Sequence, residues 1–122
     1  MSHSSYDELD MSQQIIVREP DLSALSLLFK ALSNEPRVRI LNLLRKSPRS
    51  VGQIVDALKL EQTVVSHNLK CLAFCGLVSV SRIGKTREYS LNRETVDPIF
   101  SAGVRHISQF ATNLRECESL ER

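Results

Sequence analysis

A mainly helical α+β domain is predicted by three features of this 122-residue chain. Short runs of apolar residues recur at helical spacing through the first half. A polar-faced helical stretch near 61–75 then runs into an alternating, basic segment at 78–91. A long helical stripe of apolar residues closes the chain. A short helix, a tight turn and a second helix followed by a two-stranded β-hairpin form the winged helix-turn-helix arrangement. The terminal helices remain to form a dimer interface.

Residues 1–20 are polar and acidic and read as a flexible arm, with no sustained period beyond Ile15-Ile16-Val17. Residues 21–118 form the expected winged helix-turn-helix and dimerisation domain, and 119–122 a tail. Asp21 is placed to cap a first helix carrying Leu22, Leu25, Leu28, Phe29 and Leu32. These apolar residues cover more than half its circumference, more than one monomer core hides, which points to a second copy of the chain. Ser33-Asn34-Glu35-Pro36 starts the next helix with a capping side chain and a proline that the first turn tolerates. That helix is expected to bury Val38, Ile40, Leu41, Leu43 and Leu44 and to end near Arg45-Lys46. Ser50 caps a short helix over 51–58, and Lys59-Leu60-Glu61 breaks it.

The stretch after that break carries the chemistry. Gln62, Thr63, Ser66, His67 and Asn68 offer short hydrogen-bonding side chains early in a helix whose opposite face is Val65, Leu69 and Leu72. Gly76 suits the left-handed end of that helix. Val78 and Val80 alternate with Ser79 and Ser81, Ile83-Gly84-Lys85-Thr86 permits a turn, and 87–91 returns as a second strand. Alone, this hairpin reads equally well as a solvated ribbon whose basic residues keep an edge soluble. The two helices upstream shift the balance toward a reader of double-stranded DNA. Gln62, Thr63, Val64, Ser66, His67 and Lys70 would lie at the major groove, and Arg82, Lys85 and Arg87 on phosphates or the minor groove.

At this point the chain resembles the ArsR/SmtB repressors over about residues 22–114. The resemblance rests on LFKALSNEPRVRILNLL at 28–44, VGQIVDAL at 51–58, QTVVSHNLKCL at 62–72, GLV at 76–78 and GKTREYSL at 84–91. It implies a small winged-helix dimer that releases DNA when a metal or another signal binds, and a two-fold dimer would select an inverted-repeat operator. Several relatives carry a Cys-x-Cys pair in the helix before the recognition helix, whereas 51–58 holds neither Cys nor His. Others bind zinc with Asp and His pairs on the last helix. The matching positions here are Arg93, Thr95, His106 and Gln109, which leave one plausible ligand per chain. The resemblance therefore implies neither usual metal site, and no cofactor is expected.

The last helical segment lies within 92–118, and Asp97-Pro98 marks the expected start of its helix. Its stripe includes Ile99, Phe100, Gly103, Val104, Ile107, Phe110, Ala111 and Leu114. With Leu22 and Leu25 of the first helix, Phe100, Val104, Ile107, Phe110 and Leu114 are the expected dimer contacts. Three cysteines are candidates for a redox or soft-metal role. Cys71 and Cys75 stand four residues apart on one helical face, where reduced thiols pack more readily as small core hydrophobes. Cys117 lies between Glu116 and Glu118.

Composition agrees. The formal charge of +2 and the 42% hydrophobic content fit a single small domain. Residues 1–20 carry Asp7, Glu8, Asp10 and Glu19 against Arg18, or −3, and residues 115–122 carry three glutamates against two arginines, or −1. The remaining body therefore holds +6, which favours a polyanionic partner. No apolar run approaches the roughly 18 residues that span a bilayer, and the start MSHSSYDELDMSQQ lacks the apolar stretch of a signal peptide. A cytoplasmic protein with mostly reduced thiols is expected. A glycine-rich phosphate loop and a His-Glu-x-x-His motif are missing. Ser66 and His67 leave a helix about 100° apart, unlike a nucleophile and its base. Three readings stay open: a signal-responsive repressor, a winged-helix regulator without a small effector, and an interaction module that has lost DNA binding. The wing cations oppose the third.

Overall fold

The computed structural model describes residues 17–120. The order is α1 (Glu19–Leu32), α2 (Glu35–Leu44), β1 (Arg49–Ser50), α3 (Val51–Leu58), α4 (Gln62–Phe74), β2 (Val78–Ile83), β3 (Thr86–Leu91) and α5 (Arg93–Leu120). The strands form one antiparallel sheet in the order β1-β3-β2. The architecture is the expected mainly helical winged helix-turn-helix. Its sheet gains a third, two-residue strand that sequence patterning did not register.

The helix-turn-helix is built by local chemistry. Asn34 Oδ1 accepts from the backbone N–H of Arg37 at the start of α2. Ser50 makes a full capping box: its hydroxyl accepts from Gln53 N at 3.3 Å while Gln53 Oε1 accepts from Ser50 N at 2.9 Å. α3 stops at Lys59, whose φ of 56° is left-handed and whose N–H bonds to the Val55 carbonyl. That reversal aims α4 across α3. α4 ends at Cys75 before Gly76, where a φ of +80° suits a residue without Cβ.

Ile40, Leu41 and Leu44 of α2, Ile54 of α3, and Val65, Leu69 and Leu72 of α4 meet Leu77, Val78, Tyr89 and Val96 in one core. Full burial of each large aliphatic side chain contributes about 1.5–3 kcal/mol. The core thus grips the inner face of α4 and leaves its outer face to solvent. Asn92 closes the base of the wing: its side-chain N–H donates to the Gly76 carbonyl at 2.9 Å, and its backbone N–H to Leu77 O at 3.0 Å. The hairpin tip is the two-residue turn Gly84-Lys85, with φ of +63° at Gly84. Positive φ at the first turn position alone is the requirement of a type II′ hairpin, which matches the strand twist.

Several expectations are corrected. α1 begins at Glu19 with Pro20 in its first turn. Arg18 occupies the cap position without a side-chain capping hydrogen bond, so Asp21 is a first-turn residue and not the cap. Residues 1–16 of the expected arm lie outside the described residues. α5 begins at Arg93 and includes Pro98, so Asp97-Pro98 does not mark its start. It also runs past 118 into the expected tail. Val38 remains 39% exposed, because its side of α2 faces a groove and not the core.

Candidate nucleic-acid interface

α4 and the wing form one continuous polar face. Gln62, Thr63, Ser66, His67 and Lys70 are all exposed along the outer side of α4, with Val64 half-buried beside them. Helical spacing explains the division: 62, 63, 66, 67 and 70 fall on the side opposite Val65, Leu69 and Leu72. A crevice of about 450 Å³ between α4 and the wing is lined by Ser66, Lys70 and Ala73 on the helix, by Val80, Arg87 and Tyr89 on the wing, and by Val51. Sequence reasoning missed Val51 and Tyr89 as part of this surface, because the crevice exists only once the sheet is folded against the helix.

The wing's charge is unbalanced. Arg82 and Arg87 are register partners on adjacent strands, and both are exposed. Like charges directly opposed on a sheet destabilise it unless an anion lies between or above them. Among the described residues, the ion pairs are Arg18 with Asp21, Arg39 with Glu35, and Arg45 and Arg93 with Asp97. Lys70, Arg82, Lys85 and Arg87 join none of them. Four free cations beside a helix of hydrogen-bonding side chains make a surface suited to a phosphate backbone and the base edges next to it.

Asn68 does not belong to this face. It is 4% exposed, and its amide accepts from Arg37 and donates to the Val64 carbonyl. A signal was available in the sequence: Asn68 falls on the same stripe as Val65, Leu69 and Leu72, where a polar residue must find a partner. Cys75 is a second correction. It is exposed and not core, while Cys71 is half-buried. Some desolvation, then the charge and hydrogen bond of Cys71, push the Cys75 thiol up, and the Arg37 charge works the other way.

The expected dimer residues divide between two exposures. Leu22, Leu25, Val104, Ile107, Phe110 and Leu114 are exposed, whereas Phe100 packs partly against the core. Leu32, Val38, Ile99, Phe100, Gly103, Val104 and Ile107 line an apolar groove of about 310 Å³ between α1, α2 and α5. At two of the positions matched to the last-helix zinc site of the resembled family, the side chains engage other partners. Arg93 donates to Asp97 and to the Arg45 carbonyl, and His106 stacks on Phe110 with ring centroids 4.7 Å apart. Among the described residues, no three His, Cys, Asp or Glu side chains gather to hold a metal ion.

Residues 34–80, from the cap of α2 into β2, match the arsR family of bacterial regulatory proteins. The HTH-type transcriptional repressor SmtB of Mycobacterium tuberculosis is 36% identical over 90 residues, covering 74% of this chain and 67% of that protein. NmtR, an HTH-type transcriptional regulator of the same species, is 35% identical over 77 residues. That match covers 63% of this chain and 64% of NmtR, just under two thirds of its length. A homodimeric winged helix-turn-helix DNA-binding domain from Mycobacterium bovis superposes with a TM-score of 0.63 at 30% identity, over 80% of this chain and 93% of that domain. With the fold, the helix-turn-helix and the wing in agreement with these matches, the chain belongs to the arsR family of bacterial regulatory proteins and is a transcriptional regulator of that family.

Proposed function

We propose that this regulator is a homodimeric, cytoplasmic repressor that reads an inverted-repeat DNA operator and is released by a signal. Gln62, Thr63, Val64, Ser66, His67 and Lys70 of α4 meet the major groove, and Arg82, Lys85 and Arg87 of the wing meet phosphates or the minor groove. The observation that carries this reading is the juxtaposition of Arg82 and Arg87, unpaired and opposed, next to the exposed hydrogen-bonding face of α4. Two such faces related by a two-fold axis would sit about one DNA turn, roughly 34 Å, apart. Leu22, Leu25, Phe100, Val104, Ile107, Phe110 and Leu114 supply the two-fold contact. Selection from a randomised duplex library tests the reading. An enriched inverted repeat bound far more tightly than random DNA is expected, and enrichment of no sequence would defeat it.

The adjacency of Cys71 and Cys75 favours a second reading, for the signal. Two neighbouring thiols on α4 offer soft donors for a thiophilic cation, with Cys117 as a further candidate. Titration with Cd2+ should produce thiolate-to-metal absorption in the ultraviolet and weaken DNA binding, and both effects should vanish in the Cys71→Ser, Cys75→Ser variant. DNA release without that absorption would place the signal elsewhere.

A further inference from the structure

The inner side of α4 is held by a side chain that the DNA-facing surface does not explain. Arg37, in the first turn of α2, donates through Nε to Asn68 Oδ1 at 2.8 Å and through Nη1 to the Ala31 carbonyl at 3.2 Å. Asn68 in turn donates through Nδ2 to the Val64 carbonyl at 2.9 Å, one turn back along α4. One guanidinium therefore joins the last turn of α1, where carbonyls lack partners within the helix, to the middle of α4. It does so at a nearly inaccessible amide. The other inward contacts of α4, through Val65, Leu69 and Leu72, are apolar and set its distance from the core more than its rotation. A planar fork with fixed donor directions constrains rotation as well.

We propose that Arg37 is a positioning residue for sequence readout: through Asn68 it sets the rotation of α4 relative to α1 without itself touching DNA. α1 carries Leu22 and Leu25 of the proposed dimer face, so the same link relates each reading helix to its mate. The inference rests on the proposed role of α4 in the major groove. A wrong rotation would move Gln62, Thr63 and Ser66 off the base edges while leaving the wing cations on the backbone. Arg37 thus bears on discrimination between sequences and not on general attraction to DNA.

Arg37→Met keeps the aliphatic stem and removes the fork, and Arg37→Lys keeps the charge and one donor arm. Each is compared with wild type by fluorescence anisotropy across a salt series. The two probes are the duplex that wild type enriches from a randomised library and a random duplex of equal length. Amide hydrogen exchange is measured on the DNA-free proteins. Arg37→Met should lower the ratio of the two affinities by about tenfold or more while keeping the wild-type salt slope. Exchange should quicken at residues 64–72, and Arg37→Lys should recover part of the ratio. If Arg37→Met does not fold, a reduced ratio at unchanged slope in Arg37→Lys carries the same conclusion. A ratio unchanged in both variants would overturn the proposal. So would equal loss on both duplexes with a shallower slope, which would make Arg37 a phosphate ligand. If wild type itself does not distinguish the duplexes, the role of α4 in DNA reading fails, and unchanged exchange at 64–72 would then also defeat Arg37 as the residue that holds the helix.

Discussion

Gln62 and Thr63 occupy the first turn of α4, where a helix entering a groove brings side chains closest to base edges. A glutamine amide matches the donor and acceptor of adenine, and a threonine methyl can meet that of thymine. Gln62→Ala or Thr63→Ala should therefore weaken binding to the enriched duplex by about 1–3 kcal/mol, and to random DNA by less. Anisotropy on both duplexes checks this, and equal losses would remove these residues from base readout. Cys75 permits a pH prediction at the same scale. Its thiol is held above the usual range, first by desolvation and then by Cys71, so the neutral form is favoured near neutrality. The sign follows: any stability tied to this thiol is present below its unfolded pKa and lost as pH rises through the folded one. Alkylation of Cys75 by iodoacetamide should be slower than that of a cysteine in a short unstructured peptide at pH 7 and should accelerate into the alkaline range. A rate at pH 7 above that of the peptide thiol would contradict the raised value.

At the scale of elements, the role proposed for the wing is that of a charged arm and not of a reader. Its tip is Gly84-Lys85, and Lys85 is exposed. Lys85→Ala should weaken all duplexes alike. It should also make the salt dependence shallower by about one unit for each phosphate that the two Lys85 side chains of a dimer neutralise. An unchanged slope would place Lys85 away from the backbone. α5 is the element whose start the sequence disguised. A proline inside a helix removes a backbone hydrogen bond, so Asp97-Pro98 looked like a beginning. In the fold, the turn before Pro98 is held by side chains: Asp97 accepts from Arg45 Nε at 3.1 Å and from Arg93 Nη1 at 3.3 Å. The Arg45 guanidinium also lies over the Phe100 ring, 5.2 Å from its centre. These partners come from 52 and 4 residues away, and the more distant one is invisible to local pattern.

For the whole molecule, the apolar surface on α1 and α5 is the feature a lone protomer leaves unresolved. Val104 is 56% and Ile107 47% exposed, on the same stripe as Phe110 and Leu114. Contiguous exposed apolar surface of this kind marks a contact with another molecule. Ile107→Glu would place a charge where the two-fold mate should exclude water, at a cost of several kcal/mol when doubled across the axis. Light scattering should then report a monomer, and affinity for the full inverted repeat should fall with it. A monomer that binds the repeat as tightly as wild type would show that the interface lies elsewhere.

The helix-turn-helix, the wing and the polar face of α4 were legible in the sequence because each depends on short-range chemistry. Ser50 and Gln53 cap within one turn, Gly84 supplies positive φ at a two-residue turn, and residues 62–72 sort by helical period into an inner and an outer face. Tertiary structure decided what depends on partners distant in sequence. It added β1 through its pairing with β3, turned Asn68 inward to Arg37 from 31 residues away, and left Cys75 at the surface. It also set Arg82 opposite Arg87 and closed the crevice between α4 and the wing. Periodicity tells which face of a helix is apolar, but only packing tells which polar group on that face has found a partner and which apolar group has found none.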